Sequence, residues 1–322
     1  KKAETTNTKA YELYLKAKYS YEKRTDTHDT ETARKLLRQA IELDDTLISS
    51  KVLLGITYND MGDYDEAMEI YIPALEQAEK LGDKYGMGYS LGNIGIVHSN
   101  RGEFDKALEY YDKSIKIKEE IGDKQGMGQT LNNIGVVHLN KGKYDKALEY
   151  YDRSLTIHEE IGDKHAMGGI LNNIGLVHYS KGDYDKALDY YDRSLKIKKE
   201  IGDKLGMGNN LGNIGLVHYN RAEYDTALEY YDKSLKIQEE IGDKQGMGQT
   251  LNNIGIVHGN RGEYDKALEY FERSLKIREE LGDKHGMGYT LKNIGIVHYN
   301  RAEYDKAAEP LEKSLSIQKE IG

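Results

Sequence analysis

Residues 122–161 read GDKQGMGQTLNNIGVVHLNKGKYDKALEYYDRSLTIHEEI, and close copies of this stretch return along most of the chain. Alanine marks the register. Ala67, Ala107, Ala147, Ala187, Ala227, Ala267 and Ala307 recur at one constant interval, and Ala33 precedes Ala67 by a shorter one. Such a period means a stack of like units, because one short unit cannot bury its apolar face alone. The units run over about 10–45, 46–82, 83–122, 123–162, 163–202, 203–242, 243–282 and 283–322, the first two looser than the rest. The polar lead-in KKAETTNTK, residues 1–9, is expected to be disordered.

Each unit divides into two helices. Asp123 is a good N-cap for the first. Met127, Leu131, Ile134 and His138 follow at spacings of 4, 3 and 4, one helical face. Lys141 falls in the last turn and Gly142 ends the helix. The second helix starts near Tyr144 and carries Ala147, Leu148, Tyr151, Ser154, Leu155 and Ile161 inward; Gly162 stops it and Asp163 starts the next unit. Pro73 and Pro310 fall inside second helices, where proline costs about 3 kcal/mol. The terminal units should therefore be the weaker ones, with the polar Thr25–Thr30 insertion adding to this in the first.

The pattern from Leu131 to Leu155, L-x-x-I-G-x-x-H-x-x-x-G-x-Y-x-x-A-x-x-x-Y-x-x-S-L, resembles the tetratricopeptide repeat. Ile134-Gly135, Ala147 and Tyr151 fall on that family's signature positions, and the resemblance covers roughly residues 10–322. It implies an all-α, right-handed superhelical solenoid of about eight helix-turn-helix units. Two features depart from the family. The proline usual after the second helix is replaced by Glu159 and its equivalents, and the units are longer than that family's common repeat. A longer second helix follows, as in arrays that resemble kinesin light chains, LGN/Pins-like polarity adaptors and bacterial signalling proteins. AYELYLKAKYSYEKR (Ala10–Arg24) is similar to the start of repeat regions behind bacterial cyclase, kinase or winged-helix domains.

The apolar fraction of 38% and the charged fraction of 31% suit a thin stack in which every unit stays near water. A net charge of −9 argues against nucleic acid as partner, since phosphate binding needs a basic stripe. With no cysteine there is no disulfide or Cys-based metal site, which is compatible with a cytoplasmic protein. No apolar run is long enough to span a membrane, and no signal peptide is visible. The chain opens on Lys1 and ends at the junction residue Gly322, so it reads as a fragment of something longer. Its end should present Leu311, Leu315 and Ile317, through which another copy could pair.

Repetition also decides which polar groups could carry chemistry. His98, His138, His178, His218, His258 and His298 form a column. Packed helices lie roughly 8–10 Å apart, whereas zinc ligands sit about 2 Å from the metal. Packing against the second helix, where the family has an aromatic, is the expected role. His28, His158, His165 and His285 are scattered. The Gly126-Met127-Gly128 triplet and its equivalents lack the strand and Lys-Ser/Thr of a phosphate loop, so close helix approach is the better reading. The paired acids Glu119-Glu120, Glu159-Glu160, Glu239-Glu240 and Glu279-Glu280 read as a solvated face. Arg101, Lys141, Lys181, Arg221, Arg261 and Arg301 form a basic column with two readings. They complement helix C-termini, or they make a rim for an acidic partner. No enzyme activity and no cofactor are expected, because an active site needs one unusual constellation.

The asparagine column carries the functional signal. Asn93, Asn133, Asn173, Asn213, Asn253 and Asn293 precede each Ile-Gly pair and lie off the apolar stripe. Asparagine is a mediocre helix former, and its amide donates and accepts at once, as a peptide group requires. By the resemblance, this side of the first helix lines a concave groove, and such asparagines hold an extended peptide by its main chain. The alternative is that the amides bridge adjacent units or keep the groove wet. Variable positions flank the column: Gln129, Asn209 and Tyr289; Asn132, Asn172 and Lys292; Tyr179 and Tyr219, with Gly259 and Tyr299 in the same series. Leu176 and Leu216 belong to an aliphatic series one turn away. The groove is neutral and amide-rich, unlike the charged carboxylate-clamp arrays that bind chaperone tails. The expected function is a scaffold that binds a protein or peptide in extended conformation. The alternative is a regulatory or oligomerising module that packs on its own flanking domains or on another copy.

Overall fold

The computed structural model describes residues 7–23 and 27–321. Most of the expected disordered lead-in, residues 1–6, and the start of the Thr25–Thr30 insertion lie outside the described residues. Where the lead-in is described it is ordered. Asn7 caps α1, accepting from Ala10 N at 3.1 Å, and its amide reaches Leu43 O at 2.8 Å.

Among the described residues the chain is sixteen helices and no strand. They are α1 (Thr8–Glu22), α2 (Thr27–Leu43), α3 (Ile48–Asn59), α4 (Tyr64–Leu81), α5 (Lys84–Asn100), α6 (Phe104–Glu120), α7 (Lys124–Asn140) and α8 (Tyr144–Ile161). Then follow α9 (Lys164–Ser180), α10 (Tyr184–Ile201), α11 (Lys204–Asn220), α12 (Tyr224–Ile241), α13 (Lys244–Asn260), α14 (Tyr264–Leu281), α15 (Lys284–Asn300) and α16 (Tyr304–Ile321). The fold is an all-α solenoid. Its residues form two compact units, Lys1–Gly162 and Asp163–Gly322.

Local chemistry sets the helix ends. Asp83, Asp123, Asp163, Asp203, Asp243 and Asp283 each accept a hydrogen bond from the backbone N–H three residues on, at 2.8–3.0 Å. This satisfies one of the orphan donors of each first helix. Gly162, Gly202, Gly242 and Gly282 close second helices with φ between 67° and 72°, the left-handed C-cap.

The cores straddle repeats. Ala107 and Tyr111 of α6 pack with Ile134 and Val137 of α7, the first helix of the following repeat. Ala187 and Tyr191 of α10 pack likewise with Ile214 and Val217 of α11, and Ala227 and Tyr231 of α12 with Ile254 and Val257 of α13. Ile134 is 1% exposed, and burying such a side chain is worth roughly 1.5–3 kcal/mol. That gain needs the neighbouring repeat, which is why one helical pair cannot stand alone.

Within each pair the glycines permit close approach. A Cβ on Gly135 would lie 2.5 Å from the Tyr151 ring and one on Gly128 would lie 2.5 Å from the His158 ring. Ser154 Oγ bridges the pair, donating to Gly128 O at 2.7 Å, and Ser114, Ser194, Ser234, Ser274 and Ser314 repeat the bond. Pro73 and Pro310 lie inside α4 and α16. Leu311 and Leu315 of α16 are 37% and 51% exposed.

Candidate functional site

The asparagines lie on a face of the first helices that the cores leave partly open. In the second unit this face carries two cavities. One, of about 470 Å³, is bordered by Asn209, Asn213, Leu216, Gln249 and Asn253. The other, of about 350 Å³, is bordered by Leu216, Tyr219, Asn253, Tyr289, Asn293 and Ile296. Both fall within the roughly 300–1,000 Å³ of small-ligand sites. Seven of the sixteen residues singled out from the sequence thus meet around adjoining cavities on α11, α13 and α15.

The others are placed differently. Asn172 and Asn173 are half-buried on α9, and Asn172 Oδ1 accepts from Asn213 Nδ2 at 3.0 Å. Asn293 Nδ2 makes the equivalent bond to Asn252 at 3.0 Å. Part of the column therefore bridges adjacent first helices, as the alternative reading allows. Leu176 and Tyr179 are half-buried, and Tyr179 Oη accepts from Asn220 Nδ2 at 2.9 Å. Lys292 is exposed and borders neither cavity. Asn253 borders both.

In the first unit Asn93 turns its amide back on Tyr89 O at 2.9 Å, in its own helix. Asn132 and Asn133 are half-buried on α7, and Gln129 is exposed. Gln129 borders a third cavity of about 320 Å³ with Tyr14, Ile48, Leu53, Ile56 and Tyr85. Leu53 stands at the asparagine position, one repeat before Asn93. At this end of the face aliphatic and aromatic side chains stand beside Lys18, Asp83 and Gln125. The alignment of repeats carries that signal, in the one 46–82 unit where leucine replaces the asparagine.

The basic column is engaged within the chain rather than held out for an acidic partner. Arg101 pairs with Asp65 and Lys141 with Asp105, both at 2.5 Å; Arg301 pairs with Asp265 at 2.6 Å, and Arg221 and Arg261 pair with Asp185 and Asp225. Each cation ends a first helix, and each acid opens the second helix of the preceding repeat. A ladder of ion pairs thus ties successive repeats, at no more than about 1 kcal/mol per exposed pair. The glutamates behave similarly. Lys124 meets Glu160 at 2.8 Å and Lys244 meets Glu280 at 2.8 Å, joining the two helices of one pair.

The histidine column packs. His98, His138, His178, His218 and His258 stack on Tyr110, Tyr150, Tyr190, Tyr230 and Tyr270, with centroids 5.3–5.4 Å apart. Nδ1 of His98, His218, His258 and His298 lies 2.5–3.0 Å from a glutamate five residues on. At His138 that position is Lys143, and burial, with Lys146 and Lys143 nearby, holds its pKa below the ordinary value. No group of three or more His, Cys, Asp or Glu among the described residues could hold a metal ion.

Between the paired helices runs a polar series, buried at Lys118, His158, Lys198 and Gln238 and half-buried at Arg278. Lys118 Nζ donates to Thr130 Oγ1 at 2.9 Å, and burial pushes its pKa down to about 8. Burial also lowers Lys198, whose Nζ reaches Gly206 O at 3.2 Å.

A family model described as tetratricopeptide repeat matches residues 46–120, 126–200, 167–240, 206–280 and 246–320. No curated protein matches the sequence. Several solved structures are similar. A signal transduction ATPase with numerous domains and a tetratricopeptide repeat sensor, from Pyrococcus horikoshii, aligns with a TM-score of 0.70 and 17% identity, over 96% of this chain and 52% of that one. Aspartyl phosphate phosphatase F from Bacillus subtilis aligns with a TM-score of 0.68 and 15% identity, over 98% and 85%. A Rap protein complexed with Competence and Sporulation Factor aligns with a TM-score of 0.64 and 16% identity, over 97% and 98%. At these identities the likeness concerns the fold alone. No helix among the described residues is long and apolar enough to cross a membrane.

Proposed function

The chain belongs to the tetratricopeptide repeat family, and on that basis we propose that it is a protein-interaction scaffold that captures an extended segment along the asparagine-bearing face of its first helices. The observation that carries the reading is the pair of cavities on α11, α13 and α15, where amides and aliphatic side chains alternate. A peptide backbone needs a donor and an acceptor at each step, and an amide side chain offers both. Apolar contact with Leu216 and Ile296 supplies affinity that amides alone do not. Each neutral hydrogen bond contributes only about 0.5–1.5 kcal/mol. The similarity to a Rap protein crystallised with Competence and Sporulation Factor is consistent with such a role.

First helices roughly 8–10 Å apart and an extended chain that advances about 3.3 Å per residue would let each asparagine address about every third residue. Specificity would rest with the variable positions, chiefly Tyr219, Asn209, Gln249 and Tyr289. The test is a pull-down with peptide mapping, then binding of the mapped peptide to Asn253→Ala and to the Asn173→Ala/Asn213→Ala double variant. Circular dichroism controls for folding. A folded pair of variants that bind like the parent would remove the column from recognition and leave it as a bridge between repeats.

A further inference from the structure

We infer that the cavity on α13 and α15 is a socket for one tyrosine side chain of the bound segment; this rests on the groove reading above. In the second unit the repeat breaks at one point. The series that runs Tyr179, Tyr219, Tyr299 is interrupted by Gly259. Glycine there has no backbone reason, because residue 259 lies inside α13 and its φ is not positive. Space does not demand it either: a Cβ would meet its nearest neighbours at 3.8 and 3.9 Å, ordinary contact distances. The missing side chain has a visible product. Gly259 borders the 350 Å³ cavity.

A second departure coincides with the first. The buried tyrosine of each second helix, Tyr111, Tyr151, Tyr191 and Tyr231, becomes Phe271 in this repeat alone among these five. Phe271 also borders the cavity. The two positions border the same cavity. At 271 phenylalanine presents a ring without a hydroxyl. Floor and wall are thereby apolar together.

The third observation gives the occupant its chemistry. Asn220 Nδ2 donates to Tyr179 Oη at 2.9 Å, and Asn260 Nδ2 donates to Tyr219 Oη at 2.7 Å. Each asparagine belongs to the repeat after its tyrosine and ends that repeat's first helix. The asparagine placed in this way beyond Gly259 is Asn300, which borders the same cavity, and the position that would offer it a phenol in this register is the glycine. An incoming phenol ring would fill the place of the absent tyrosine, pack on Phe271 and Ile256, and accept from Asn300. A phenylalanine would fill the space but leave the amide unused.

The experiment uses the full chain and two probes, 4-methylphenol and toluene, followed by methyl NMR of Ile256, Ile296 and Val297. The expected result is saturable shifts at these methyls, with 4-methylphenol roughly three- to tenfold tighter than toluene. Asn300→Ala should abolish that preference and keep toluene binding. Gly259→Tyr, with circular dichroism matching the parent, should abolish both. Equal affinity for the two probes in the parent, or unchanged binding in Gly259→Tyr, would overturn the inference. Selection from a random peptide library separates the two readings. Peptides that bind without a fixed tyrosine overturn the socket and leave the groove. Binding of 4-methylphenol with no peptide captured supports the socket and defeats the groove.

Discussion

Replacing Ala222 by glycine should stabilise the protein, and the reason lies in one dihedral angle. Ala222 has φ 59° between α11 and α12, as has Ala302 between α15 and α16, whereas turns of this kind elsewhere place glycines such as Gly182 and Gly262 at φ 79° and 75°. A side chain in left-handed backbone costs roughly 1–2 kcal/mol. Glycine removes that cost but loosens the unfolded chain, which takes back about 0.4–1 kcal/mol. The net gain for Ala222→Gly is therefore about 0.5–1 kcal/mol. The reciprocal change, Gly262→Ala, should cost a similar amount. No atom lies within 4 Å of a Cβ built on Gly262, so packing does not confound that comparison. Urea unfolding should show opposite shifts in midpoint for the two variants. Because stacked repeats behave as a sum of units and interfaces, hydrogen exchange should place the first effect at α11 and α12 and the second at α13 and α14. A destabilised Ala222→Gly, or a stabilised Gly262→Ala, would contradict this account of the turn.

Other outcomes follow from the polar contacts. Lys143→Glu should give His138 the carboxylate its equivalents have and place an acid at the start of α8. Stability should rise by about 0.5–1.5 kcal/mol, more at pH 6 than at pH 8, because the depressed His138 pKa costs stability as pH falls through the unfolded value. Lys118→Met should stabilise the fold at pH 7. The parent's lysine has its pKa near 8 when folded, so the unfolded chain binds more protons up to about pH 10.5, and parent stability rises over that window. The advantage of the variant should shrink by on the order of 3 kcal/mol between pH 7 and 10.5, as read by urea titrations of both proteins. Ser154→Ala, which removes the bond to Gly128 O, should cost about 0.5–1.5 kcal/mol in the same assay. Raising salt from 0.1 to 1 M should weaken the Arg261–Asp225 coupling in a double-mutant cycle; a coupling that grows with salt would count against the ladder.

The constant repeat period, the Asp caps, the closing glycines and the Ala and Tyr columns make the fold legible, because each is a local signal repeated often enough to exclude chance. The same repetition places the histidines as packing groups. Contacts between one repeat and the next are not legible in this way. Arg261 meeting Asp225, Asn213 meeting Asn172 and Asn260 meeting Tyr219 depend on how one repeat is set against its neighbour. That offset is fixed by the interlocking of Tyr231 with Ile254 and Val257 and its equivalents, and no single repeat encodes it. The order of residues alone thus says which of them recur and on which helical face they lie. Which amides are used between repeats, which stay open at the cavities, and that Gly259, Phe271 and Asn300 meet in one place are settled by the stacking, because those facts belong to the spacing between helices.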